Sequence, residues 1–344
     1  MKPGRIAVAA FALALAAALQ AAGSATAGSP DPLPIPGGDA GIGFDDLRFA
    51  PRLDRVLVPA GRAGVLALVD PRSRAITAVP GFSKVAAWGG GHDQSVTSAD
   101  EGDGVLFATD RTSRELVVVE SQRGNVLSRV RLGGGPDYVR WIAPTREIWV
   151  TEPDAERIEV FRLPKNAKEP AAAGAIPVPG GPESLVIDAR RHRAYTNLWK
   201  GKTVAVDLST RASGTPFDNG CTGSRGLAVD ESRGLLFVGC GEGGATALDV
   251  AAGGRIRGRI SVGAGVDVID FDPGRSHLYV PSGKTSTLSI LGVSRTGELR
   301  LLSTLPAAAG SHCVVADHRG GVYVCDPKGG RLLVYRDALP PGDR

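Results

Sequence analysis

Several motifs of familiar chemistry are missing from this chain of 344 residues. No Gly-rich phosphate loop opens a helix, and neither H-E-x-x-H nor G-x-S-x-G occurs, which removes three common routes to catalysis. No C-x-x-C-H run is present to attach haem, so redox chemistry would need a non-covalent cofactor that no motif announces. An imbalance of charge is missing as well. The 40 Lys and Arg stand against 36 Asp and Glu, a formal net charge of +4. Without a concentrated basic stripe, nucleic acid is not an expected partner. Past the first residues, no apolar run is long enough to span a bilayer.

The start of the chain reads as an export signal. Lys2 and Arg5 supply positive charge, Ile6 to Leu19 form an apolar stretch, and Ala25-Thr26-Ala27 fits an A-x-A cleavage pattern. No Cys directly follows to carry a lipid. Residues 1–27 are therefore expected to be a signal peptide, and residues 28–344 a single domain, monomeric and periplasmic or secreted. Losing Lys2 and Arg5 takes the charge from +4 to +2.

What the chain has in abundance is glycine, 47 residues, mostly in short clusters between β-rich runs. Length alone would suggest roughly two domains, but internal repetition overrides it. A short strand motif recurs seven times: Val56-Leu57-Val58-Pro59, Leu106-Phe107-Ala108-Thr109, Ile148-Trp149-Val150-Thr151, Ala194-Tyr195-Thr196-Asn197, Leu236-Phe237-Val238-Gly239, Leu278-Tyr279-Val280-Pro281 and Val322-Tyr323-Val324-Cys325. An apolar run precedes most copies, as in Leu227-Ala228-Val229-Asp230, and two more β-rich runs follow most of them. Four short strands per unit, repeated every roughly 42 to 50 residues, match propeller blades. The fold expected is an all-β, seven-bladed β-propeller of four-stranded antiparallel blades.

Ring closure is also written in the sequence. The seventh unit stops after its third strand, Leu332 to Tyr335. Leu33-Pro34-Ile35-Pro36-Gly37-Gly38 matches the fourth strand Ile176-Pro177-Val178-Pro179-Gly180-Gly181 in pattern. The N-terminal segment is thus expected to supply the missing outer strand, where an unpaired edge tolerates proline.

Leu278-Tyr279-Val280-Pro281-Ser282, with the blade opening Cys221 to Asp230, resembles the YVTN-repeat propellers that include YncE-like proteins. The resemblance extends from about Asp45 to Tyr335 and departs at Ala108-Thr109 and Thr196-Asn197. It implies the fold and an exported protein, with ligands, nucleic acid or other proteins proposed as partners within the family. It assigns no activity, because propellers host many chemistries.

Four cysteines in an exported chain favour disulfides. Cys221 and Cys240 flank one hairpin of the fifth blade, Cys313 and Cys325 the equivalent hairpin of the seventh. Non-adjacent blades are too far apart for cross-pairing, so Cys221–Cys240 and Cys313–Cys325 are the expected bridges. A thiolate metal site with His312 is disfavoured, since no C-x-x-C spacing exists.

Aligning the blades on the repeated motif brings Asp45, Ser95, Asp137, Glu183, Arg225, Asp267 and His312 to the starts of the innermost strands, with His92 and Asp93 close by. Such positions line a propeller's channel. Clustered carboxylates with one Arg and one His suit binding a cation or an anionic ligand, or serve only to hydrate the axis. This ring is the expected ligand site, with no cofactor required and calcium or another divalent cation permitted. Trp199 and Lys200, on a loop of the same face, are expected contacts for a partner. A lactonase-type metal hydrolase is the alternative, and it would draw on Asn197 or Asn219. A plain scaffold is the third reading. Trp88, Trp141 and Trp149 are expected to pack in or beside strands, and His192, His277 and His318 to lie on the opposite surface.

Overall fold

A computed structural model describes Met1 and residues 29–342. The signal-peptide expectation for residues 1–27 falls outside the described residues, apart from Met1. Seven four-stranded antiparallel sheets are arranged in sequence order, as the repeat predicts. Their innermost strands are Arg48–Ala50, Val96–Gly102, Val139–Ile142, Glu183–Asp188, Ser224–Asp230, Asp270–Asp272 and Val314–Ala316. The repeated motif forms the second strand each time, for example Glu147–Glu152 and His277–Ser282.

Each motif strand is buried because a blade has two apolar faces and a neighbour on both. Trp149, Tyr279, Tyr323, Phe107 and Phe237 are among the largest fully buried side chains. Phe107 stacks on Trp141 with ring centroids 5.2 Å apart, joining the second and third blades. The apolar packing therefore runs between blades, and no blade holds a core of its own.

The ring closes as expected. Asp31–Pro34 pairs antiparallel with Arg331–Arg336, Leu33 opposite Leu332 and Pro34 opposite Arg331. Its counterpart in the third blade places Pro177 opposite Arg157. The residue after each proline then repeats one hydrogen bond: Ile35 N–H donates to the Gly330 carbonyl (3.1 Å) and Val178 N–H to the Glu156 carbonyl (2.8 Å). The strand is shorter than the six-residue pattern, ending at Pro34. Pro36 has no N–H to continue the ladder, and Gly37 turns left-handed at φ 79°. At this seam the backbones of Gly38 and Gly330 touch. A Cβ on Gly38 would lie 2.1 Å from the Gly330 oxygen, too close for any side chain.

Both hairpin disulfides are present, Cys221–Cys240 and Cys313–Cys325, with Cα separations of 5.2 and 5.6 Å. These lie within the range a bridge spans without backbone movement.

His277 departs from the surface position expected of it. It is fully buried, its Nδ1 lying 2.6 Å from Asp337 Oδ2 and its Nε2 3.0 Å from the Pro340 carbonyl. Tyr279 donates its hydroxyl to the same carboxylate. The C-terminal segment folds back over the sixth blade and covers the turn that would otherwise expose this ring. Burial alone would raise Asp337, but hydrogen bonds from His277 and Tyr279 outweigh it and hold its pKa below the usual range. His192 and His318 are exposed. Trp141 and Trp149 pack as expected, whereas Trp88 sits in the long connection between the first two blades.

Candidate binding site at the channel mouth

The mouth is built where the chain passes from one blade's outer strand to the next blade's innermost strand. At these points the backbone is tied across blades: Asp46 N–H donates to Thr97 O (3.2 Å), and Gly226 N–H to Asp267 O (3.2 Å). Each such connection delivers a side chain toward the axis.

Asp45, Asp137, Glu183 and Asp267 converge with His92, Asp93, Arg111, Tyr138 and Trp199 on a chamber of about 90 Å³. A shallower groove of about 530 Å³ adjoins it and includes His92, Asp267, His312, Arg225 and Lys284. Six of the seven aligned positions thus meet at the mouth, with His92 and Trp199 from the same reading. Lys200 is exposed on the loop beside Trp199.

Ser95 does not take part. It is fully buried, it adopts a left-handed backbone at φ 61°, and it lines neither cavity. Its carbonyl accepts from Arg111 N–H at 2.7 Å, which ties it to the end of the neighbouring strand. The blade's polar contribution comes instead from His92, three residues earlier and with a longer reach. Trp88 braces that approach by donating its indole N–H to the Gly91 carbonyl (2.7 Å).

His92 bridges two carboxylates, Nδ1 at 3.3 Å from Asp45 Oδ2 and Nε2 at 3.4 Å from Asp267 Oδ2. The Asp45 charge, opposed by burial, raises its pKa to about 10. Asp137 accepts from Arg111 Nη1 at 3.1 Å. Burial, reinforced by Asp45, nevertheless raises Asp137 to about 7. Glu183 lies 3.9 Å from Arg225 Nη1, and burial followed by repulsion from Asp137 and Asp267 raises it to about 9. Burial likewise raises Asp45. Burial, with repulsion among the carboxyl groups, therefore favours the protonated forms of Asp45, Asp137 and Glu183.

Arg225 stacks over the half-exposed Trp199 ring with its guanidinium 4.4 Å from the centroid. The pair forms a flat cationic and aromatic surface beside the chamber.

Below the chamber, the axis is closed in a way the blade alignment did not show. Arg140 forms a bidentate pair with Asp46, at 2.6 and 3.0 Å, and Ser98 donates its hydroxyl to the same carboxylate. All three side chains are buried. Tyr138 lines both the mouth chamber and a separate cavity of about 540 Å³ at the opposite end. The mouth is accordingly a cup with a floor. Asp46 and Arg140 follow Asp45 and precede Trp141 in unremarkable sequence, and only their closeness in space reveals the pair.

The asparagines that a lactonase-type site would draw on are engaged elsewhere. Asn197 Nδ2 donates to the Arg225 carbonyl, and Asn219 Nδ2 donates to Ser224 Oγ (2.8 Å) and Thr203 Oγ1 (3.1 Å). Both are buried in the wall between the fourth and fifth blades.

Comparison with known proteins yields the fold and no family. No family model and no curated protein matches the chain. Among solved structures, it is similar to a chain of the mitotic checkpoint complex, with a TM-score of 0.74 and 14% identity over 96% of this chain and 98% of that one. It is also similar to Kuenenia stuttgartiensis hydrazine synthase, with a TM-score of 0.70 and 14% identity over 87% and 96%. A third is the Myceliophteria thermophila Cps50 (Swd1) β-propeller domain, with a TM-score of 0.68 and 13% identity over 86% and 97%.

Proposed function

We propose that this chain is an exported binding propeller that docks a protein partner on the face carrying the channel mouth. The observation that supports it is convergence. Asp45, Asp137, Glu183 and Asp267 gather around one small floored chamber, and Arg225 stacks on the exposed Trp199 at its rim. Four converging carboxyl groups suit the chamber to a positively charged group, whose arrival would displace their protons, and an exposed Trp with an Arg stacked on it is the type of surface that anchors an interface. Propellers in protein assemblies, such as that of the mitotic checkpoint complex, are consistent with this use of the fold. The finer assignment to the YVTN and YncE-like proteins rests on the strand motif, with Leu278 to Ser282 its best copy. Export is supported by the leader pattern and by two hairpin disulfides, which persist in oxidising compartments. No helix among the described residues is long and apolar enough to cross a membrane.

Photo-cross-linking tests the docking face. A photoreactive residue at position 199 in the exported fraction of the source organism is expected to yield one discrete adduct. The same residue at position 190, at the opposite cavity, is expected to yield none. The adduct should disappear in the Asp137→Asn, Glu183→Gln, Asp267→Asn triple variant. Equal labelling from both faces, or an adduct indifferent to the triple variant, would refute the assignment.

A further inference from the structure

We propose that His92, His312 and Asp267 bind a divalent d-block metal ion of zinc type at the rim of the channel mouth. This names a ligand for the cation-accepting site described above and rests on that reading.

The three residues each bring a ligand atom to within 4.8 Å of the others. They come from different parts of the ring: the connection between the first two blades, the approach to the sixth, and the approach to the seventh. His92 Nε2 and Asp267 Oδ2 are 3.4 Å apart, longer than a good hydrogen bond. Two ligands on a tetrahedral ion with bonds of about 2.0 to 2.1 Å stand about 3.3 Å from each other. The spacing suits a shared metal better than a shared proton.

The surroundings supply what ligating imidazoles require. On the far side of His92, Nδ1 faces Asp45 Oδ2 at 3.3 Å. That oxygen is buried and makes no hydrogen bond, so it is free to accept the Nδ1 proton and aim Nε2 at the ion, the usual role of an outer carboxylate. His312 presents a complementary problem. Its Nδ1 lies 2.7 Å from the Gly310 carbonyl and its Nε2 2.9 Å from the Phe44 carbonyl. A neutral imidazole has one N–H for these two oxygens. One of its two nitrogens therefore meets a carbonyl oxygen with its lone pair, an unfavourable contact that a small rotation of the ring toward a metal ion would relieve. The two imidazole rings lie close together, with centroids 5.0 Å apart.

Ligand chemistry selects the ion. Two imidazoles and one carboxylate suit zinc, cobalt, nickel or copper, whereas calcium and magnesium prefer all-oxygen shells. A fourth position would face the groove shared with Arg225 and Lys284, leaving room for water or an anionic group. The two hairpin disulfides occupy the sulfurs of the other His/Cys/Glu clusters.

Cobalt is the probe of choice, titrated into the full mature chain after chelator treatment. One equivalent is expected to bind, with visible d–d absorption that zinc abolishes. His92→Ala and His312→Ala should each weaken binding at least tenfold while circular dichroism stays that of the wild type. Asp45→Asn, which acts through His92, should weaken it by about tenfold and leave the number of imidazole ligands at two. X-ray absorption of the zinc-loaded wild type, which needs no variant to fold, should show two imidazole nitrogens. No saturable cobalt binding, an all-oxygen shell, or calcium outcompeting cobalt would overturn the proposal. Should metal binding fail while the position-199 adduct persists, the metal site alone falls; the reverse result removes the docking face alone.

Discussion

At the scale of single residues, the mouth is a place where burial and mutual repulsion favour the protonated forms of carboxyl groups. Asp137 and Glu183 have folded pKa values raised to about 7 and about 9. Their unfolded values are near 4, so the folded state binds more protons across that interval. The contribution to stability is greatest below about pH 4 and declines as pH rises through 7 for Asp137 and through 9 for Glu183. Thermal melts should therefore show Tm falling between pH 5 and pH 9. Glu183→Gln should flatten the alkaline part of that slope and Asp137→Asn the part nearer neutrality. A Tm profile unchanged by both substitutions would contradict the charge balance described. His277 illustrates the opposite case at this scale. A histidine in a turn of polar sequence looks like a surface group, and it is buried only because Asp337, 60 residues downstream, returns to meet it.

At the scale of elements, the hairpins of the fifth and seventh blades carry a covalent tie where the others rely on hydrogen bonds and packing. Cys221–Cys240 closes 19 residues and Cys313–Cys325 closes 12. On the loop-entropy account, each is worth about 3 kcal/mol. The double variant Cys221→Ala/Cys240→Ala is expected to lower unfolding free energy by about that amount in a denaturant titration. A loss below about 1 kcal/mol would mean the hairpin is already held by its neighbours. The pairing was readable from sequence because both partners sit at the two ends of one repeat hairpin. Non-adjacent blades cannot be bridged. The Arg140–Asp46 pair gave no such signal: its partners are 94 residues apart and belong to different blades.

At the scale of the whole molecule, the ring holds as one body because its first and last blades share apolar packing. Ile35, Ile42, Phe44, Val56 and Val58 pack with Val315, Tyr323, Leu332 and Val334 across the closure. Deleting residues 29–36 would remove Ile35 from that cluster and leave the edge of Arg331–Arg336 unpaired. The expected result is a lower and broader calorimetric transition, with self-association through the open edge seen on sizing columns. A sharp transition at the wild-type temperature would show that the strand is dispensable. Gly38→Ala should damage the same closure by a separate route, since its Cβ would strike the Gly330 backbone.

Blade count, strand order, ring closure and disulfide pairing were determined by the sequence alone. Each is encoded in a repeat whose period and turn residues are local, and alignment of the copies carries them into space. The residues of the mouth were largely legible for the same reason, because equivalent positions in a ring must converge. Tertiary structure alone decided which of them reach the axis, as Ser95 yields to His92. It also decided that Tyr138, Arg140 and Asp46 close the channel beneath, that His277 is buried, and which carboxyl groups burial pushes up. Those outcomes depend on side-chain length, backbone handedness and distances between blades. A one-dimensional pattern does not carry them.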